Sequence, residues 1–269
     1  MPVFERNSLS INYQIIGSGP RVLFFNGSGG SIEGSQLLIN AFAKTCQVLV
    51  HDQRGLGKTS VPKGPYTMAD YANDAAALLD HVGWQTSNII GLSFGGMVAQ
   101  EFAVTFPDRI QRLVLMCTSA GGIAGSSYPL HQLAQLPTFE RNKALRVLTD
   151  TRFTDEWLAE HPVDAEIMRF QEDRPDTQKT KLQIEGERLQ LEARIGHDVA
   201  DRLHLISAPT LITAGRFDGI APLANSQAIA ERIPNSTLNV YEGGHPFLAQ
   251  DRQAMRDIRT FLSQSEPIN

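Results

Sequence analysis

Gly91-Leu92-Ser93-Phe94-Gly95 reads G-x-S-x-G. Such a serine matters chemically where a strand turns sharply into a helix, because the turn lifts Oγ clear of the sheet. The flanking residues predict that setting. Residues 88–90 are a short apolar strand, and 95–106 read as a helix stopped by Pro107. Small residues on both sides, with Gly96 extending them, let strand and helix approach closely. A serine hydroxyl is a weak nucleophile, so it needs a base, and the base needs an orienting carboxylate.

Seven histidines are available as bases. His245, in Gly243-Gly244-His245-Pro246, follows the last strand at its carboxyl end, where open α/β sheets build sites. His51, beside the end of the second core strand, is the alternative. His81 ends a helix and His204 precedes a strand. His131, His161 and His197 lie in an inserted segment. For the carboxylate, Asp218 directly follows the strand 210–214, in Gly215-Arg216-Phe217-Asp218-Gly219. The competing place, after the strand ending near Met116, reads Cys117-Thr118-Ser119 and offers no acid. Asp52 also ends a strand, but Asp52-Gln53-Arg54-Gly55 reads as a turn or an arginine-paired structural acid.

These positions require a sheet whose strands present their carboxyl ends on one edge. The chain supplies it. Residues 3–16 alternate loosely and predict one or two antiparallel strands. Short apolar runs at 21–25, 47–52, 88–90 and 113–116 suit strands buried on both faces. Helical spacing at about 35–45, 67–81 and 95–106 falls between them. That alternation predicts an α/β fold, a mostly parallel central sheet with helices on both faces. Residues 120–200 break the pattern, with no strand and amphipathic stretches at 136–148, 154–161 and 177–195. They read as a helical cap inserted between core segments 1–119 and 201–269. The alternation then resumes, with strands at 210–214 and 237–241 and a closing helix over 247–262.

The 269 residues are 42% hydrophobic and 20% charged, enough apolar residues for a packed core. With 24 basic and 29 acidic residues the net charge is −5, which argues against nucleic acid as a partner. Cys46 and Cys117 are too few for a disulfide framework and read as small buried hydrophobes. No apolar run approaches the ~18–20 residues that span a bilayer. Met1–Arg6 shows no basic region leading into an apolar one, so the expectation is a cytoplasmic protein without a membrane partner.

The order Ser93, Asp218, His245, with the segment Pro209 to Asp218, resembles the α/β-hydrolase superfamily. The resemblance covers about 21–119 and 207–262. It implies acyl transfer to water, with Ser93 attacking, His245 moving the proton and Asp218 orienting the ring. It implies no metal and no organic cofactor. An oxyanion hole would use the backbone N–H of Phe94. By similarity to the family's His-Gly-x-x-Gly loop, its second donor would be Ser28, or next Gly29, in Asn26-Gly27-Ser28-Gly29-Gly30. Asn26 stands where histidine is usual. The loop carries no G-x-G-x-x-G, since position 32 is Ile32.

Within that resemblance, Ser93 departs from the aspartate of dehalogenases and epoxide hydrolases. Leu92 departs from the asparagine of carbon–carbon bond hydrolases, although Gly27-Ser28-Gly29 is similar to theirs. The expectation is therefore a carboxylic ester or lactone hydrolase acting on a small molecule. A hydrolase of vinylogous diketones, a low-turnover small-molecule receptor and cofactor-free oxygen chemistry are the alternatives. A homodimer is left open. Leu92, Tyr128 and Trp157 are the candidate substrate contacts, with Phe94, Met97, Cys117, Phe139, Phe153 and Phe170 behind them. The charged run 179–194 reads as a solvated helix face.

Overall fold

The computed structural model describes residues 2–133, 135–172 and 179–264, except the side chains of 170–172. Eight strands form one sheet: β1 (Val3–Arg6), β2 (Leu9–Ile16), β3 (Arg21–Phe25), β4 (Gln47–His51), β5 (Ser87–Leu92), β6 (Ile110–Met116), β7 (Thr210–Gly215) and β8 (Ser236–Tyr241). Their spatial order is β1-β2-β4-β3-β5-β6-β7-β8. The β1–β2 and β2–β4 pairings are antiparallel and the other five parallel.

Alternation along each strand sends side chains into two separate cores. Leu23, Phe25, Leu49, Ile89, Leu113 and Ile212 pack under α2 (Met68–His81), α3 (Phe94–Thr105) and α9 (Leu223–Ala230). Val22, Phe24, Val48, Val50, Ile90 and Val114 pack under α1 (Gln36–Ala43) and α11 (Arg252–Ser263). Both faces are covered, which is why these strands are near-continuous apolar runs in sequence. The closing helix expected over 247–262 is instead two, α10 (Phe247–Gln250) and α11. Asp251 is extended at φ −122°, and its side chain accepts from Gln253 N, so it ends one helix and caps the next.

From β3 the chain adds β4 on one side and then returns to place β5 on the other. That reversal opens a crevice beyond the carboxyl ends of β3 and β5. The loop 26–30 and Ser93 both lie there.

Between β6 and β7 run α4 (Leu130–Leu133), α5 (Thr138–Thr149), α6 (Asp155–Glu160), α7 (Pro162–Glu172) and α8 (Lys181–Ala193). Thr154 accepts from Trp157 N and caps α6, while Thr180 and Gln183 form a reciprocal capping box on α8. Gly121 and Asp198 pair across the neck of this insertion as an isolated bridge. No helix of the described residues is long and apolar enough to cross a membrane.

Candidate active site

Ser93 sits between the last residue of β5 and the first of α3, at φ +53° and ψ −113°. Few side-chain-bearing residues adopt that backbone, which costs on the order of 1–3 kcal/mol unless its surroundings impose it. Here they do. Ser93 N donates to Met116 O at 2.8 Å, and Thr118 Oγ1 donates to Ser93 O at 2.8 Å. The flanking glycines allow the geometry. A methyl group on Gly95 would strike the carbonyls of Phe25 and Asn26, and one on Gly91 would strike Gly95 and Gly96.

Asp218 and His245 come to the same edge from β7 and β8. His245 Nε2 lies 3.0 Å from Ser93 Oγ, and His245 Nδ1 lies 2.7 Å from Asp218 Oδ2. The other carboxylate oxygen accepts the backbone N–H groups of Ile220 and Ala221, each at 2.8 Å. Asp218 is thereby fixed as an acceptor pointing at the ring. Burial pulls the His245 imidazole down, but the Asp218 carboxylate, aided by the Cys117 thiol, outweighs it and holds the ring well above its ordinary value.

The structure thus brings Ser93, Asp218 and His245 together. His51, the alternative base, is buried against Phe25, and burial pulls it down to about 4. Asp52 accepts from Ile32 N, Lys58 N and Asn12 Nδ2, so it braces loops, while Arg54 pairs with Asp74.

Phe94 opens α3, where a first-turn N–H has no carbonyl within its own helix to bond. Its side chain is buried against Tyr71. The loop of Ser28 lies against the elbow: a methyl on Gly27 would sit 3.6 Å from Ser93 Cβ. The two second donors named from sequence differ. Gly29 N donates to Gln190 Oε1 at 2.7 Å, so that N–H is occupied. The Ser28 hydroxyl is buried without a partner.

The candidate substrate contacts fall in different places. Leu92 is half-buried against the core cluster that holds Cys117 and Phe247. Trp157 is held inside the insertion, stacked on His161, beneath Arg152 and donating Nε1 to Asp164 at 2.8 Å. Tyr128 is fastened by its backbone, N–H to Ile220 O at 2.7 Å and carbonyl to Arg194. None of the three is on the wall of the cavity beside α3, which Met97 does line. Phe139 is exposed, Phe153 is buried, and the Phe170 side chain lies outside the described residues.

Several residues of the site lie outside the sequence motifs. Thr149 O accepts His245 N at 2.7 Å. Gln250 Oε1 accepts Gly244 N at 2.8 Å, and Gln250 Nε2 reaches Asp150 and Asp164 at 3.0 Å each. Arg152 holds Asp150 and lies over Phe217, next to Asp218. Gln190 belongs to the run read as solvated. The outer face of α8 is solvated, with Arg188 between Glu185 and Glu192. Its buried residues, Gly186, Leu189, Gln190 and Ala193, recur at helical spacing, and that spacing was the available signal.

Cys117 is more than a core filler. It is buried at φ +41°, and its sulfur lies within 4.8 Å of ligand atoms of Asp218 and His245. Among the described residues this is the group with donors placed for a metal ion.

Comparison with known proteins agrees with this fold. Residues 20–251 match the model of the alpha/beta hydrolase fold family. The chain is 31% identical to a poly(3-hydroxyalkanoate) depolymerase of Ectopseudomonas oleovorans, over 90% of this chain and 84% of that protein. It is 30% identical to 3-oxoadipate enol-lactonase 2 of Acinetobacter baylyi, over 94% and 95%. The crystal structure of an enol-lactonase from Burkholderia xenovorans LB400 superposes with a TM-score of 0.79 at 24% identity, covering 98% of this chain and 100% of that one.

Proposed function

The chain belongs to the alpha/beta hydrolase fold family, and we propose that it hydrolyses small carboxylic esters or lactones through an acyl-enzyme on Ser93. The observation that carries this reading is the continuous hydrogen-bonded line from Ser93 Oγ through His245 to Asp218, at 3.0 and 2.7 Å. The depolymerase and enol-lactonase among its relatives support an acyl–oxygen bond as the target.

In the proposed cycle His245 takes the Ser93 proton as Oγ attacks the carbonyl carbon. The Phe94 N–H, at the positive end of α3, stabilises the oxyanion, with a second donor from the Ser28 loop. Asp218 stabilises the imidazolium. His245 returns the proton to the leaving oxygen, and water repeats the sequence on the acyl-enzyme. The helices between β6 and β7 act as a cap over this edge.

The test is steady-state hydrolysis of p-nitrophenyl esters from acetate to dodecanoate, with Ser93→Ala as control. The expected result is turnover that falls by about 10⁴-fold or more in the variant, because the three residues act as a unit. Equal rates in both proteins would overturn the reading. One equivalent of nitrophenol followed by nothing would replace turnover with single acylation, the behaviour of a receptor.

A further inference from the structure

The substrate class can be narrowed from a second cluster, a step that rests on the acyl-transfer reading above. A cavity of about 150 Å³ lies between α3 and the insertion. Met97, one turn beyond Ser93, and Ser119 form its core side. Ser126, Ser127, His131, Arg194 and His197 form much of the rest.

Arg194 caps the carboxyl end of α8 and is 8% exposed. Its Nη2 donates to Ser127 Oγ and to Tyr128 O. Its Nη1 is buried with no partner. Burial, opposed by no acid, pulls this guanidinium down to about 10. The carboxyl end of a helix favours a cation, but it does not occupy the second arm of the fork. Two other arginines have their forks completed from within the chain, whereas Arg146, which also leaves nitrogens unpartnered, pairs with Asp155. Arg54 grips Asp74 through two nitrogens at 2.7 and 2.9 Å, and Arg152 grips Asp150 at 2.9 and 2.6 Å. A buried cation left without an anion is costly, and a planar carboxylate is the group that fits a guanidinium fork.

The surroundings add hydrogen-bonding capacity. His131 Nδ1 and His197 Nε2 are also buried without partners. His197 is 6% exposed, and burial pulls it to about 4, so it stands neutral. One guanidinium fork in a small cavity matches a single planar carboxylate better than a phosphate dianion.

We propose that Arg194 is the anchor for a carboxylate on the acyl part of the substrate, with Ser126, Ser127, His131 and His197 around it. The favoured substrate is then a half-ester of a short dicarboxylic acid, or a small lactone that carries a free carboxylate.

Monomethyl glutarate and methyl pentanoate, followed by titration of released acid, test this. Wild-type kcat/KM is expected to favour the glutarate ester by tenfold or more. Arg194→Met should bring that ratio to within about threefold of one, and Arg194→Lys, which keeps the charge but not the fork, should retain part of it. Equal rates in the wild type, or an unchanged ratio in Arg194→Met, overturn the proposal. Because Arg194 is buried, a second measurement avoids its replacement. Calorimetric titration of Ser93→Ala should show binding of monomethyl glutarate and none of methyl pentanoate, and no binding of the former overturns the anchor. Binding with no hydrolysis of either ester in the wild type sinks the acyl-transfer reading but not the anchor. Hydrolysis of both esters at equal rates does the reverse.

Discussion

In the sheet, Val22, Leu23, Phe24 and Phe25 are fully buried, whereas in the insertion Phe139, Val163, Leu182 and Ile184 are more than half exposed. The two regions meet at the edge that carries Ser93 but hold their shapes differently. The sheet sets Ser93, Asp218 and His245 at strand ends through backbone geometry and apolar packing. The insertion adds a few apolar residues to the core, Leu189 and Ala193 among them, and reaches the same edge through polar contacts: Thr149 to His245, Gln190 to Gly29, Gln250 to Asp150. The sheet side therefore decides whether the chemistry runs, and the insertion side adjusts how well. Substitutions can be ranked on that difference.

The largest effect is expected on the sheet side at Asp218. Asp218→Asn should lower kcat/KM by about 10⁴-fold, since the carboxylate both orients and charges the imidazole. The pH profile carries the sign. A protonated His245 cannot accept the Ser93 proton, so activity falls as pH drops through the His245 value. Asp218 raises that value, so the acidic limb of the variant should move to lower pH. A limb that stays in place would assign it to another group.

Gly95→Ala comes next. Its methyl would collide with the carbonyls of Phe25 and Asn26, at the root of the loop that carries Ser28. Forcing in such a group costs about 1–3 kcal/mol. Displacing the loop by about 1 Å costs on the order of 10²-fold in rate. Urea unfolding and ester hydrolysis measure the two separately. Full activity with unchanged stability would mean that the elbow tolerates a side chain there.

The same difference explains what was legible in the sequence. Strand ends, the elbow glycines and the order Ser93, Asp218, His245 follow from burial and backbone necessity, and such demands leave local patterns. Asp150, Gln190, Arg194 and Gln250 act through partners far along the chain, as when Gln250 meets Asp150 across 100 residues. No window of neighbouring residues contains that contact. Trp157 is a candidate by size, but its indole N–H donates to Asp164 and its ring is engaged by His161 and Arg152. The split of the last helix at Asp251 was open to reading, since aspartate is a strong N-cap.

Asp150→Asn tests the insertion side. The Asp150 side chain is fully buried and accepts from Arg152 and Gln250. Hydrogen bonds to a charged group contribute about 1.5–3 kcal/mol, and an asparagine would keep only part of that. Stability should fall by about 1–2 kcal/mol, because the partner Arg152 is partly in water. Gln250 would lose one anchor, loosening its hold on Gly244 beside His245, and kcat should fall by about tenfold, well short of the Asp218 effect. A loss as large as that of Asp218→Asn would erase the distinction between the two regions.

The smallest effect is expected at Gln190, and its direction is the informative part. Gln190 is fully buried, and its Oε1 holds the Gly29 N–H at 2.7 Å. Gln190→Leu keeps much of the volume and removes that acceptor. If the Gln190 contact tethers the loop so that Ser28 supplies the second oxyanion donor, its loss lets the loop drift. One ordinary hydrogen bond contributes about 1 kcal/mol, so kcat should fall about fivefold with KM nearly unchanged. If Gly29 is the donor instead, Gln190 competes with the oxyanion for its N–H. Removing the competitor would then raise kcat. Paired rates on one short ester decide between the donors, and a fall in kcat with unaltered stability places the oxyanion contact on Ser28.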